Sequence, residues 1–458
     1  IGVGSRRHRL VSDTYEEVGR GWKEQLCDVS LAVYDECPSM EDIARGVAQL
    51  RRVENGSFYV MDASEVESRL NEWRSYLPFV DPFYSIQCND DPLLLQLLTR
   101  SNDCNLQVSN VLELERALTL VSPSRIIFHS HLLTRKILRM ITQLQEPLNA
   151  IVVDNEDSLI DSYQLNPYQP LILRVSLSPE SEDIDLCMGM AIDEVIQCVP
   201  RLIREGVPLV GLSLQLMAEG VNMIERAQLL VHLLSTLSDC KLSLIDIGDG
   251  FHSSSMDQTS YLLDCIIDNI DGPIKLIATP GRFFAASAFS LVTSIVGKKA
   301  IDARAITRND ADGGGEGFVY ETTQSIYGAF NGIMMGEKYE CTPLSLSIHH
   351  NDNHDNVVHA SAILGSALDH IDFPKRHTRL PSLAIGDCLL WKEMGAYGAR
   401  DEDCVPVYYY TGRAHWERVK GIEDDSNSLL SDGGSDEGDY SDRDDDDMSE
   451  CFGRVFMH

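Results

Sequence analysis

The chain has 458 residues, of which 43% are hydrophobic and 24% are charged, a composition that predicts a folded protein with a large buried core. Its net charge of −33 excludes simple electrostatic attraction to nucleic acid or to an anionic membrane. No apolar run is long enough to span a bilayer. The twelve cysteines include no C-x-x-C pair, which favours reduced thiols and a cytoplasmic location over disulfides or zinc.

Short apolar segments alternate with segments of helical periodicity from about residue 55 to residue 290. "PFYSIQ" precedes "DPLLLQLLTR", "RIIFHS" precedes "LLTRKILRMITQLQ", and "NAIVVD" precedes "NEDSLIDSY". Strands that are buried on both faces and separated by helices indicate a parallel sheet. About seven or eight such units match the size of a (β/α)8 barrel, and a doubly wound open sheet is the alternative.

The pattern changes after residue 290. The segments "FVYETTQSIYGAFNGIMM", "TPLSLSIHH", "LAIGDCLLW" and "VPVYYYTG" are β-rich, with no long helices between them. We therefore expect the barrel at residues 55–290 and a mostly antiparallel β domain at residues 291–415. The N-terminal segment, residues 1–54, is expected to complete that β domain.

The last region, residues 416–458, is strongly acidic. Thirteen acidic residues and one arginine lie between residues 421 and 450, a composition that predicts a disordered tail. The tail is either a solubilising appendage or a binding segment, with Ser441 as the expected phosphate acceptor.

Several motifs occur in the order and spacing of eukaryotic ornithine decarboxylases. They are "FYVMDASEV", "PFYSIQCNDDP", "LIDIGDGF", "TPGRFFAASAFSLVTSIVGKK", "FVYETTQSIYGAFN", "ILGSALDHID" and "GDCLLWKEMGAY". Over about residues 20–415 the chain resembles these fold-type III pyridoxal-phosphate enzymes and their non-catalytic relatives, the antizyme inhibitors. The resemblance implies a TIM-like barrel of the alanine-racemase type, pyridoxal phosphate as the family cofactor, and a head-to-tail dimer with active sites at its interface. Activity itself has to be argued from the site.

Gln87 stands in "PFYSIQCN" where the resemblance places the lysine that holds pyridoxal phosphate. This cofactor forms an imine with an amine and then acts as an electron sink. An amide nitrogen shares its lone pair with the carbonyl and cannot form that imine. The position therefore predicts a strand end with the family's geometry and without its nucleophile.

Other cofactor positions depart from the family too. Thr279 in "ATPGR" replaces the glutamate that keeps the pyridine nitrogen protonated, and Gln215 in "GLSLQLM" replaces the histidine that stacks on the ring. Glu219 follows in "MAEG", and Asp249 lies between the phosphate-cradling glycines in "DIGDGF". A carboxylate about 5 Å from a phosphate opposes it by roughly 3 kcal/mol per unit charge at an effective ε of about 20, on the order of a hundredfold in affinity.

The substrate positions differ as well. The family's catalytic cysteine motif aligns with "GSALDH", which places Leu368 at the thiol position and retains Asp369. Gln324 in "TTQSIYGAF" replaces the aspartate that holds the substrate's distal amine, and an amide cannot neutralise that charge. We therefore expect no catalytic residues and no bound cofactor.

Some residues of the family's cofactor site are retained. The resemblance implies that Arg282 and Tyr397 contact the phosphate in an active relative. Their alternative roles are structural, as an arginine paired with a carboxylate and a tyrosine packed at a domain junction. The residues retained from the family's cofactor site are Arg174, Gly248, Gly250, Arg282, Gly395 and Tyr397.

The stretch "IHHNDNHDNVVHA" gathers His349, His350, His354 and His359. Their spacing fits no strong zinc signature, and the polar composition is typical of a loop. The sequence therefore predicts no metal site.

The segment "LLTRKILRMITQ" is a basic helix on an acidic protein, with Arg135, Lys136 and Arg139. The resemblance implies that this neighbourhood binds antizyme, the protein that delivers the decarboxylase to the proteasome. Basic residues attract an acidic partner face. The alternative is a solvated helix face, and Leu132 and Leu133 depart from the family's polar pattern.

Three functions follow from these observations. The first is a catalytically inactive, antizyme-inhibitor-like regulator of polyamine (putrescine) biosynthesis. The second is a dead subunit that modulates an active decarboxylase by heterodimerisation. The third is ornithine decarboxylase activity itself, which similarity would name and which the site positions oppose. A homodimer and a heterodimer are both open.

Overall fold

The computed structural model describes residues 21–26, 29–51, 56–177, 188–217, 222–270, 272–309, 314–344, 357–367, 369–398 and 405–421. The chain divides into two compact units, residues 1–415 and residues 416–458. In the second unit, residues 416–421 are helical, and the remainder of the predicted acidic tail lies outside the described residues. Among the described helices, none combines the length and apolar character needed to cross a membrane.

The described strands are numbered in chain order. They are β1 (Gly21–Leu26), β2 (Val29–Tyr34), β3 (Phe58–Asp62), β4 (Val80–Ser85), β5 (Asn105–Val108), β6 (Ile126–His129), β7 (Ala150–Val153), β8 (Leu171–Ser176), β9 (Met190–Ala191), β10 (Leu209–Ser213), β11 (Leu244–Asp246), β12 (Lys275–Ala278), β13 (Phe289–Asp302), β14 (Glu316–Thr322), β15 (Cys341–Leu344), β16 (His359–Leu364), β17 (Lys375–Leu380), β18 (Cys388–Trp391) and β19 (Val407–Gly412).

The described α-helices are numbered in the same way. They are α1 (Met40–Leu50), α2 (Ala63–Tyr76), α3 (Pro92–Thr99), α4 (Val111–Leu118), α5 (Arg135–Ile141), α6 (Glu156–Leu165), α7 (Ile192–Arg204), α8 (Met223–Thr236), α9 (Met256–Ile267), α10 (Arg282–Ala285) and α11 (Arg304–Thr307). Short 3-10 turns cover Pro123–Arg125, Ser238–Cys240, Ser253–Ser255 and Asn331–Met335.

Eight parallel strands of the described chain close into a barrel, in the order β4, β5, β6, β7, β8, β10, β11 and β12. Pairing of β12 with β4 and of β8 with β10 completes the ring. Apolar side chains from several of these strands, among them Phe83, Ile127 and Ile277, form one buried cluster. The barrel predicted from the alternating pattern is confirmed, and the open sheet is excluded because the ring is closed.

Side-chain caps decide where several barrel helices begin. Asn155 accepts from the Ser158 N–H at the start of α6, and Thr134 accepts from the Ile137 N–H at the start of α5. Because Thr134 is the cap, α5 begins at Arg135, three residues later than the segment that opens with Leu132. A capping oxygen satisfies an N–H group that has no partner inside the helix.

Ten of the remaining strands form a second, mostly antiparallel sheet within the described residues, and β9 pairs with β8 of the barrel instead. The long strand β13 of the second sheet pairs antiparallel with β3, β14 and β18. β19 runs parallel to β2 and β3, which brings the N-terminal strands into the same sheet. The segment 58–62 lies within the range assigned to the barrel from sequence, and the structure places it in this sheet. The precise domain boundaries stay a prediction.

Polar contacts join the barrel to the sheet beside the end of β4. The buried carboxylate of Asp91 caps α3 by accepting from the Leu93 and Leu94 N–H groups, and it also accepts from the Tyr409 hydroxyl at 2.7 Å. The Asn89 amide donates to the Gly395 carbonyl at 2.8 Å. These bonds hold the turn after β4 against the β domain.

We expect Asp91→Ala to lower the free energy of unfolding by about 2–4 kcal/mol, because it removes a helix cap and leaves the buried Tyr409 hydroxyl without this acceptor. Urea denaturation measures the change. Ser39→Ala is the matched control, since Ser39 caps α1 at an exposed site and should cost about 1 kcal/mol or less. Equal losses in the two variants would contradict the role given to the junction.

Candidate functional site

The carboxyl ends of the barrel strands carry most positions that the sequence singled out. Gln87 is exposed in the turn at residues 86–88, directly after β4. Thr279 is buried directly after β12, and its N–H donates to the Gly248 carbonyl at 2.9 Å. Gln215 follows β10 and is half-buried. Catalytic groups of (β/α)8 proteins lie at this end of the barrel.

The loop after β11 needs both of its glycines. Gly248 has φ +79° and Gly250 has φ +104°, a region that favours glycine. A Cβ on Gly248 would lie 2.4 Å from the Gln215 Oε1 atom, and one on Gly250 would lie 2.6 Å from the Met217 carbonyl oxygen. The two glycines therefore let this loop lie directly against the segment after β10.

The Gln215 side chain binds the same loop. Its amide nitrogen donates to the carbonyls of Met217 at 2.6 Å and Asp249 at 2.9 Å, and its amide oxygen accepts from the Asp249 N–H at 3.4 Å. The buried Arg226 donates to the Gln215 backbone carbonyl. Gln215 therefore uses both ends of its amide to join two loops.

The Asp249 carboxylate is the anion of this loop pair. The backbone N–H groups of Gly250 and Gly281 lie beside it and favour its ionised form. Burial raises the pKa of Asp249, while these N–H groups and the charges of Arg282 and His252 act to lower it. Converging backbone N–H groups can form an anion-binding site, and here the chain's own carboxylate lies beside them.

A second carboxylate, Asp246, ends β11 and is 1% exposed. It accepts from the Ser213 hydroxyl at 2.7 Å and from the Gly248 N–H at 3.0 Å. Burial raises its pKa to about 6, because the hydrogen bonds and the charge of Arg174 only partly offset the loss of solvation.

The retained Arg282 and Tyr397 have partners within the protein. Arg282 pairs with Glu337 at 2.5 Å and lies over the Tyr397 ring, 5.1 Å from its centre. Tyr397 has φ +58°, and its N–H donates to the Cys88 carbonyl at 2.9 Å. A Cβ on Gly395 would lie 1.9 Å from the Ala285 carbonyl oxygen. These residues pack where the barrel meets the β domain.

The substrate positions of the β domain lie near one another. The Gln324 carbonyl accepts from the Ser366 N–H at 3.2 Å, and the retained Asp369 accepts from the Tyr327 hydroxyl at 2.5 Å. His359 lies on β16, with a ring nitrogen 3.2 Å from the Glu316 carbonyl oxygen. Outside the described residues lie Leu368, Glu219, His349, His350 and His354.

The comparisons with known proteins agree with this fold and these motifs. Residues 63–286 match the family model for the pyridoxal binding domain of pyridoxal-dependent decarboxylases. Ornithine decarboxylase of Caenorhabditis elegans is 27% identical over 361 residues, which cover 75% of this chain and 83% of that protein. Antizyme inhibitor 2 of Xenopus laevis is 24% identical over 407 residues, which cover 83% of this chain and 86% of that protein. Over most of its length the chain is therefore similar to ornithine decarboxylases and to an antizyme inhibitor.

Solved structures of pyridoxal-phosphate decarboxylases share the fold. The arginine decarboxylase of Paramecium bursaria Chlorella virus bound to agmatine superposes with a TM-score of 0.68 at 22% identity, covering 81% of this chain and 100% of that chain. Ornithine decarboxylase from Entamoeba histolytica superposes with a TM-score of 0.62 at 22% identity, covering 81% and 98%.

The charge of the loop pair opposes a phosphate group. The Asp249 carboxylate lies beside the backbone N–H groups of Gly250 and Gly281, and the Asp249 N–H faces the Gln215 amide. A phosphate beside these N–H groups would lie next to that carboxylate, and like charges repel. The residues of this loop pair therefore do not fit the phosphate of pyridoxal phosphate.

Sequence reasoning missed a polar cluster at the adjacent strand ends β5, β6 and β7. One ring nitrogen of His129, one ring nitrogen of His131 and one carboxylate oxygen of Asp154 lie within 4.8 Å of one another. Burial lowers the pKa of His129 to about 3, with a further lowering from the Arg174 charge. The signal was present as "IIFHSH" and "IVVD", two apolar strands that each end in such residues.

The positive charge of helix α5 is partly neutralised by Asp161. The Arg135 guanidinium binds Asp161 of α6 with two hydrogen bonds, at 2.8 and 3.1 Å. Lys136 and Arg139 are exposed, and Leu132 beside them is 77% exposed. The exposed charge of this surface therefore lies on Lys136 and Arg139.

We expect Asp246→Asn to change the pH dependence of stability. A carboxyl whose pKa is raised by folding destabilises the native state as pH rises, and the loss develops between its unfolded and folded pKa values. From 3.8 to about 6, the cost reaches about 3 kcal/mol. The free energy of unfolding of the variant, minus that of the parent, should rise by this amount between about pH 4 and about pH 7.

Urea denaturation across that range measures the difference, and Asp302→Asn is the control. Asp302 is exposed, and its pKa is lowered to about 2, chiefly by the hydrogen bond from Arg304. The stability that the ionised Asp302 contributes is lost only as pH falls towards that low pKa. The free energy of unfolding of Asp302→Asn, minus that of the parent, should therefore be nearly flat across the range. A flat difference for Asp246→Asn would show that its pKa is not raised.

Proposed function

We propose that this protein is a non-catalytic member of the ornithine decarboxylase family that regulates polyamine (putrescine) biosynthesis in the manner of an antizyme inhibitor. The observation that carries the proposal is the Asp249 carboxylate, which lies beside the backbone N–H groups of Gly250 and Gly281. In this proposal the carboxylate occupies the place where a phosphate would need those N–H groups, and its charge opposes pyridoxal phosphate.

The chemistry of three positions supports the same conclusion. By the family motifs, Gln87 stands where an amine must form an imine, and an amide cannot do so. Thr279 stands where a carboxylate must hold a pyridinium, and a hydroxyl cannot stabilise that charge. Gln324 stands where a carboxylate must neutralise the substrate's distal ammonium. Each change removes a different step, so one reversion would not restore turnover.

Two observations support antizyme as the partner. One curated relative, matched over 407 residues, is antizyme inhibitor 2 of Xenopus laevis. The exposed Lys136 and Arg139 on α5 also present a basic surface on a chain of net charge −33. This surface would attract the acidic face of a partner. The alternative partner is an active ornithine decarboxylase, bound as a heterodimer.

We expect the purified protein to form no aldimine absorbance with pyridoxal phosphate and to release no ¹⁴CO₂ from labelled ornithine. Gln87→Lys should also lack turnover, because Thr279, Gln324 and Asp249 remain. Gln87→Lys combined with Asp249→Gly frees the two N–H donors. Its aldimine band should saturate at a pyridoxal phosphate concentration about a hundredfold lower than that of Gln87→Lys.

A third variant separates charge from shape in this experiment. Gln87→Lys combined with Asp249→Asn keeps a side chain of the same size and removes its charge, so an intermediate affinity is expected. Release of CO₂ by the unchanged protein would overturn the non-catalytic proposal. Equal cofactor affinity in all three lysine variants would show that Asp249 does not oppose the phosphate.

We expect immobilised antizyme to capture the protein, and Lys136→Glu with Arg139→Glu to weaken that binding at least about tenfold through like-charge repulsion. The matched control is Arg376→Glu with Arg379→Glu, which reverses two exposed charges at the same spacing on β17 and should leave binding unchanged. Capture of an active ornithine decarboxylase without capture of antizyme would favour the heterodimer alternative instead. Capture of neither protein would refute both regulatory functions.

A further inference from the structure

The polar cluster of His129, His131 and Asp154 lies at the ends of β6 and β7, beside Arg174. His129 is the last residue of β6, His131 follows it by two residues, and Asp154 comes directly after the neighbouring strand β7. The His131 Nδ1 atom lies 2.9 Å from the Asp154 Oδ2 atom. Parallel pairing of β6 with β7 therefore brings two imidazoles and a carboxylate to one edge of the barrel.

Two atoms of this cluster lack hydrogen bonds. The Nε2 atom of His129 and the Oδ1 atom of Asp154 are shielded from solvent and have no hydrogen-bond partner among the described residues. Buried polar atoms are nearly always hydrogen-bonded, and each exception calls for an explanation. A ring nitrogen and a carboxylate oxygen without such bonds, on residues that can offer ligand atoms within 4.8 Å of one another, are suited to share a cation.

We propose that His129, His131 and Asp154 bind one divalent transition-metal ion of the zinc type. Imidazole nitrogen and carboxylate oxygen are the ligands that such ions prefer, and three protein ligands leave the fourth position of a tetrahedral site open. The ligand atoms, within 4.8 Å of one another, need only a small inward movement to reach a common ion. The site does not depend on the function proposed above.

Gln107 supplies the supporting contact that such a site requires. Its amide nitrogen position lies 3.1 Å from the His129 Nδ1 atom. With the amide rotated by half a turn, its oxygen accepts the Nδ1–H and leaves the Nε2 lone pair for the metal. Partners of this kind fix the tautomer of a metal-binding histidine. Gln107 is therefore a positioning residue.

Arg174 opposes the cation. Its guanidinium lies 3.5 Å from the His131 Nε2 atom and 3.9 Å from the Asp154 Oδ1 atom. The Asp154 carboxylate offsets that positive charge, and His131, whose side chain is 49% exposed, can turn away from it. We therefore expect a metal of moderate affinity that exchanges with solvent.

The experiment titrates the purified full chain with Zn²⁺ and, separately, with Co²⁺, whose visible d–d absorption reports an ordered low-coordinate site. We expect one equivalent to bind with a saturable absorption change. His129→Ala, His131→Ala and Asp154→Ala should each weaken binding at least about tenfold. Gln107→Leu should weaken it, and Gln107→Glu should strengthen it, because a carboxylate accepts the Nδ1–H better.

The control is His232→Ala, which removes an exposed histidine on α8 and should leave the titration unchanged. Circular dichroism confirms that each variant is folded. The proposal fails if no saturable one-to-one binding is seen, or if His232→Ala loses as much affinity as His129→Ala. Opposite effects of Gln107→Leu and Gln107→Glu on metal affinity would not arise if the metal only adsorbed to the acidic surface of the protein.

Discussion

The Asp249 carboxylate lies beside the backbone N–H groups of Gly250 and Gly281, where the loops after β11 and β12 meet. The geometry requires a left-handed glycine on each side of Asp249 and a close approach of the segment after β10. Gln215 joins the loops from that side with both ends of its amide. The chain therefore places a negative charge of its own at the mouth of the barrel, held by loops whose backbone and amide contacts do not depend on a ligand.

Contacts within the protein account for the retained residues. Arg282 would be an unpaired cation at the mouth of the barrel, and here it has Glu337 and the face of Tyr397. Tyr397 and Gly395 hold the turn after β4, and Asp91 holds it from the other side. The junction between barrel and sheet needs these residues whether or not a cofactor binds, so their presence is weak evidence for activity.

The alternation of apolar strands with helices was sufficient to predict a parallel sheet, because strands buried on both faces leave a strong signal. The choice between a barrel and an open sheet was decided by the pairing of β12 with β4 and of β8 with β10. The helical segment "DPLLLQLLTR" contains α3, which begins after the Asp91 cap, and such a cap leaves a signal in the sequence because capping is a local interaction. The segment 58–62 carried the same apolar signal as a barrel strand, yet it pairs with β13 and β19. Pairing partners far apart in the chain leave no local trace, so periodicity alone could not place it.

The sequence by itself determined which chemical groups are present: an amide at position 87, a hydroxyl at 279, and a carboxylate between two glycines at 249. Those identities limit the reactions available, because no fold can make an amide nitrogen into an amine. Only the tertiary structure decided what the groups contact. It placed the Asp249 carboxylate beside two backbone N–H groups, and it paired Arg282 with Glu337. It also brought His129, His131 and Asp154 together. Hydrogen bonds and ion pairs depend on distances that only the folded chain defines.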